Sequence, residues 1–194
     1  PLKIIEADDL SAMFVEGRKI SNPLLGVYSR KMCADIFAEA PLSLGVTYSK
    51  NGAKEESVDN LDSCVETRVV GSGADFLKIE WLGKGGAKGI DFKAVSTVRF
   101  AGPRVEMDLK FENLSADVFA REVVFPKMQI AKLGNGPDKL VHPYMSGVLV
   151  DNPAFERFWV CQDGMYPSGR VSMPFGAYYD SKGGVYFGYE DPRA

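Results

Sequence analysis

The stretch "PRVEMDLKFENLS", residues 103–115, decides the fold class. Val105, Met107, Leu109 and Phe111 alternate strictly with Glu106, Asp108, Lys110 and Glu112. A period of two places all the apolar residues on one side of an extended chain, which describes a half-buried antiparallel strand with one wet face. Working outward, "CVETRVVG" (64–71), "DFLKIEWLG" (75–83) and "IDFKAVSTVRFA" (90–101) precede it, each rich in β-branched or aromatic residues. Glycine-bearing turns separate them at Gly71-Ser72-Gly73, Gly83 to Gly89 and Gly102-Pro103. "VFAREVVFPKMQI" (118–130) follows, with Pro126 marking a bulge or a strand exit because it cannot donate to a ladder.

The two ends are less regular. "YSRKMCADIFAEA" sets Tyr28, Met32 and Ile36 at i, i+4 and i+8, the spacing of a short helix. Residues 134–169 are rich in Gly, Pro, Asn and Asp and read as long loops laid over a sheet, with strand-like pieces such as "GVLV" and "FERFWV". A last hairpin runs from Phe175 to Tyr179 and from Val185 to Tyr189 around Asp180-Ser181-Lys182-Gly183-Gly184. Long strands with tight turns predict an all-β chain, a large antiparallel β-sandwich with at most one or two short helices, in a single domain over residues 1–194.

Composition narrows the function. The 194 residues are 45% hydrophobic and 25% charged, with net charge −3, and the basic residues are scattered among acidic ones. A nucleic-acid surface would need a clustered basic stripe, so no nucleic-acid partner is expected. No apolar run approaches the roughly 18 residues that span a bilayer as a helix, so no membrane partner is expected either. Cys33, Cys64 and Cys161 lie far apart, which predicts buried free thiols rather than a disulfide framework or zinc site. No segment assigns a compartment; a secreted or periplasmic one is the expectation.

Glu106, Asp108 and Glu112 share one strand face, where residues two apart sit about 6.6–6.8 Å apart at Cα. A retaining glycosidase needs carboxyl groups about 5–5.5 Å apart, and the stretch is similar to an E-x-D-x-x-E glycanase strand. The last glutamate comes one residue late, however, and Lys110 stands on the same face, where a cation disfavours a protonated general acid. A solvated face of alternating charges is the stronger reading. His142, the single histidine, precedes Pro143 and could act as a base, but it excludes paired-histidine catalysis and any metal site with two histidines. The glycine-rich run 83–89 leads into a strand rather than a helix, which makes it a hairpin loop and not a phosphate cradle. No cofactor is expected. Tyr144, Trp159, Tyr166, Tyr178, Tyr179 and Tyr186 gather in the last third, where rings suit carbohydrate or a domain interface.

Residues 92–192 resemble a segment of large bacterial glycoside-hydrolase-like proteins. The resemblance rests on Val123-Val124-Phe125-Pro126, on the element Val141 to Gly147, on Tyr166-Pro167-Ser168-Gly169, and on the hairpin "AYYDSKGGVYFGYEDP". It implies an N-terminal supersandwich similar to galactose mutarotase, followed by a (β/α)8 barrel that carries the catalytic carboxylates. On that reading the chain is a domain cut just past its last hairpin, at Asp191-Pro192-Arg193-Ala194. Mutarotase chemistry needs two histidines and a glutamate, so the resemblance implies fold and not activity. The expected function is a non-catalytic domain that supports the barrel of the same chain and shapes a carbohydrate cleft, with Tyr144, Trp159, Tyr166, Tyr178 and His142 as carbohydrate or interface residues. A freestanding carbohydrate-binding module is the alternative, and a glycanase using Glu106 and Asp108 the third.

Overall fold

The computed structural model describes residues 1–16, 20–52, 54–86, 89–134, 136–142, 147–153 and 175–188, with the backbone alone for 39–41. All strand pairings among them are antiparallel, and the described residues contain no α-helix. The chain divides into two compact units, residues 1–131 and 132–194.

The first unit holds eleven strands: β1 (Leu2–Ala7), β2 (Leu10–Val15), β3 (Leu24–Ser29), β4 (Ala34–Asp35), β5 (Phe37–Lys50), β6 (Glu56–Asp59), β7 (Val65–Ser72), β8 (Phe76–Lys84), β9 (Asp91–Ala101), β10 (Arg104–Asn113) and β11 (Val118–Ile130). They form sheets of order β1-β2-β3-β4, β11-β5-β6 and β10-β9-β8-β7. The second unit has one sheet, β13-β12-β14-β15, made of β12 (Lys139–His142), β13 (Val148–Asp151), β14 (Phe175–Tyr179) and β15 (Gly184–Gly188).

The β7–β10 meander follows the period-two pattern. Leu77, Ile79 and Trp81 on β8 and Phe92, Ala94, Val98 and Phe100 on β9 are buried, while the alternate residues carry most of the charge. Phe92 stacks on Phe111 of β10, ring centroids 5.4 Å apart. On β5, Leu42, Leu44, Val46 and Tyr48 are buried in alternation. Trp81 meets Phe125 of β11 edge to face at 5.7 Å, a contact between two sheets. Asn113 turns β10 into β11: its Oδ1 accepts from the Ser115 amide and its Nδ2 donates to the Val118 carbonyl.

Three expectations are corrected. The strands form four sheets of three or four strands instead of one large sandwich. The ladder breaks at Ile36, between β4 and β5. There the Ile36 amide donates to Val27 of β3 and its carbonyl accepts from Ala131, so one residue stitches two sheets. β11 is irregular against β5, including a shift between Val124 and Lys127 that brackets Pro126, where a bulge was expected. The helix expected near Tyr28 is the end of β3, a turn, and β4. Ser29 Oγ accepts from the Met32 amide and Cys33 takes a φ of 51°, which no helix continues through. The i, i+4, i+8 spacing also fits a period of two, so it did not discriminate. Finally, Cys33 is exposed and Cys64 half-buried, both free, contrary to the expected burial; Cys161 lies outside the described residues.

Candidate functional site

Of the five residues expected at a site, Tyr144, Trp159 and Tyr166 lie outside the described residues. His142 and Tyr178 lie on neighbouring strands of the second unit. Leu140 of β12 stands opposite both Val150 and Tyr178, and His142 follows two residues on, so all four project to one face. His142 is the last residue of β12 and half-buried, not a loop residue as expected. Burial holds its imidazole below the ordinary histidine range. The stretch read as long loops thus supplies two strands to the sheet: β13, which falls on the strand-like piece "GVLV", and β12, which was not expected.

Tyr178 is buried, and its hydroxyl donates to Asp138 Oδ2 at 2.6 Å. Asp138 is 2% exposed, and its Oδ1 has no hydrogen-bond partner among the described residues. Burial, the bond to Asp138, and the charges of Asp138 and Asp180 push the Tyr178 phenol well above its ordinary range. Tyr178 therefore braces the unit from within rather than presenting a ring outward. Asp138 also anchors the chain through its carbonyl, which accepts from the Asn152 amide at 2.7 Å.

The other face of the sheet has a different character. Phe175 stacks on Tyr186 with ring centroids 5.5 Å apart and planes 28° from parallel. Alternation along β14 and the Ala177–Tyr186 pairing place both rings opposite to Tyr178. Tyr186 is 67% exposed, and Leu149 of β13 is exposed as well. The turn that sets this register is held by Asp180, whose Oδ1 accepts from the Lys182 and Gly183 amides. Gly184 closes it, since a Cβ there would lie 2.8 Å from the Tyr178 carbonyl oxygen. An exposed tyrosine stacked on a half-buried phenylalanine offers an apolar ring face beside a hydroxyl, the chemistry that a sugar C–H face or an amphipathic protein surface would meet.

The β10 carboxylates form a different constellation. Glu106 and Asp108 are exposed on the outer face, as the alternation predicted. Glu106 stands opposite Arg99 of β9, and Glu112 stands opposite Lys93. Asp108 accepts from the Thr97 amide at 3.2 Å and lies 3.9 Å from Arg99. On the same face Glu80 of β8 is buried between Arg68 (Nε to Oε1, 2.7 Å) and Lys93 (3.2 Å). Burial works to raise its pKa, and the two cations outweigh it and hold the carboxyl below its ordinary range. Among the described residues no group of three or more His, Cys, Asp or Glu is placed to hold a metal ion.

Sequence reasoning passed over Asp138 and Phe175 as site residues. Phe175 was recoverable, because period two across the hairpin puts it beside Tyr186. Asp138 was not: one aspartate ahead of a short strand carries no local sign that it will be buried beneath a tyrosine. No protein-family model matches the chain, and it matches neither a curated protein nor a solved structure.

Proposed function

We propose that the chain is a non-catalytic β domain of a carbohydrate-processing protein, docking against a neighbouring (β/α)8 barrel that carries the reacting carboxylates. The observation that carries this reading is the Phe175–Tyr186 stack, an aromatic surface turned outward from its own sheet. The resemblance in residues 92–192 supplies the identity of the neighbour. The placement of the β10 carboxylates weighs against the glycanase alternative, since Glu106 and Asp108 are exposed on the outer strand face and Asp108 is already engaged by the Thr97 amide, 3.9 Å from Arg99.

A second reading follows from the same stack. With 67% of Tyr186 exposed, the pair could serve a freestanding carbohydrate-binding module, sugar stacking on the ring. Calorimetric titration of the purified chain with a panel of oligosaccharides separates the two. A docking domain gives no saturable heat. A binding module gives saturable heat that Tyr186→Ala removes. Hydrolysis of aryl-glycosides by the chain, abolished by Glu106→Gln, would overturn both and reinstate the glycanase.

A further inference from the structure

The open edge of β1 points to a role independent of the functional reading above. β1 and β2 are joined by the two-residue turn Asp8-Asp9, with Ala7 opposite Leu10 and Leu2 opposite Val15. The Glu16 amide donates to the Pro1 carbonyl at 3.0 Å, which makes Pro1–Glu16 a hydrogen-bonded pair. Such pairs alternate in an antiparallel ladder, so Lys3, Ile5 and Ala7 bond toward β2. The backbone groups of Leu2, Ile4 and Glu6 therefore point away from it, to the open edge. No described strand pairs with that edge.

The side chains on this edge are equally unguarded. Leu2 and Ile4 are each 58% exposed on the outer face. Ile4 stands beside Met13, which is opposite Gly26, and Met13, Leu25 and Tyr28 are exposed too. Natural sheet edges are blunted by proline, by bulges or by charge. From Leu2 to Ala7 there is no proline and no break in register, and the charged residues are already neutralised within the chain, Lys3 by Glu16 and Glu6 by Arg30. β10, which also ends its sheet, differs in carrying Glu106, Asp108, Lys110 and Glu112 outward. Two copies of β10 would oppose carboxylates; two copies of β1 would not.

We propose that β1 pairs with β1 of a second copy of this chain, antiparallel about a two-fold axis through Ile4. An axis perpendicular to the sheet keeps the outer face outward on both copies. It also requires residues of like parity to pair, which the edge-pointing set Leu2, Ile4 and Glu6 satisfies. In the register of greatest overlap Ile4 faces Ile4 of the second copy, Leu2 faces Glu6, and Lys3 faces Ile5, so no like charges are opposed. The outer face then carries one unbroken apolar row, Met13 and Ile4 of one copy continuing into Ile4 and Met13 of the other. Because the edge is neutral, it selects no oppositely charged strand; its complementarity is to itself. An isologous patch of this kind closes as a dimer and does not propagate.

Sedimentation velocity over a wide range of protein concentration tests the assembly. The expected result is a species of twice the chain mass at high concentration, shifted to the monomer by Ile4→Lys. Ile4 is exposed, so that variant should melt like the parent by circular dichroism. The register is tested in a Cys33→Ser background. Hydrogen-bonded antiparallel pairs have Cα atoms about 5.5 Å apart, within the span of a disulfide. With copper–phenanthroline as oxidant, Ile4→Cys should therefore cross-link to a covalent dimer, and Lys3→Cys should not. A monomer at every concentration overturns the proposal and leaves the edge to an unlike strand or to solvent. A dimer that survives Ile4→Lys, or equal cross-linking by both cysteine variants, overturns it as well.

Discussion

Glu80 shows burial and charge in opposition on a single side chain. Its carboxylate is almost without solvent, yet Arg68 and Lys93 hold it ionised below its ordinary pKa. A carboxyl whose pKa is depressed on folding adds stability above its unfolded pKa, near 4.5, and loses it as pH falls through the folded value. Acid unfolding of the parent should therefore be steeper below about pH 4.5 than that of Glu80→Gln, measured by urea denaturation along a pH series. Removing the cations instead leaves a buried charge. Arg68 is more than half exposed, which discounts its share, so Arg68→Ala should cost about 1–2 kcal/mol. Tyr178 makes a second case. Tyr178→Phe removes the donor to Asp138 and leaves a buried acceptor unmet, a loss of about 1–3 kcal/mol in chemical denaturation. His142, as the single histidine, gives one imidazole signal in NMR, and its midpoint should fall below 6.5 because burial disfavours the cation.

Among the elements, β9 packs over a missing side chain. Phe92 lies over Gly83 of β8, where a Cβ would collide with its ring, and stacks on Phe111 beyond. Gly83→Ala should push Phe92 out of that stack and destabilise the chain by about 1–3 kcal/mol, read from the thermal midpoint. The five strands β7 to β11 were legible in the sequence because each is rich in β-branched or aromatic residues, with strict alternation in β10, and glycine- or asparagine-bearing turns separate them. β1 to β6 were not. The β1–β2 turn is Asp8-Asp9, without glycine, and β5 runs through fourteen residues including Ala38, Ala40 and Pro41, a composition with weak strand preference. The alternation from Leu42 to Ser49 was a legible signal that was passed over, whereas the first half is held extended by pairing with the end of β11, a tertiary effect invisible locally. β12 is four residues long, too short to show a period, whereas β13, equally short, falls on the strand-like piece "GVLV". The same limit applied to the candidate site: the outward turn of Tyr186 followed from alternation, whereas the burial of Tyr178 on Asp138 depended on a partner forty positions away.

At the scale of the whole molecule, every strand pairing described for β1 to β11 joins residues between 1 and 131, with the outer edge of β1 left open. A fragment of those residues should fold alone, with a cooperative melt and a near-ultraviolet signal from the buried Trp81. Failure of the fragment to melt cooperatively would show that the second unit is required for the first. Its assembly has a temporal side. β5 is bonded to β6 on one edge and β11 on the other, and Arg121 of β11 reaches Ser49 of β5 across 72 positions. At ribosomal rates of about 5–20 residues per second, β5 and its hydrophobic row wait roughly 4–14 s for the partner strand. During synthesis this chain is thus a client for any factor that shields open strands, and a nascent chain halted before residue 118 is the species that such a factor would hold longest.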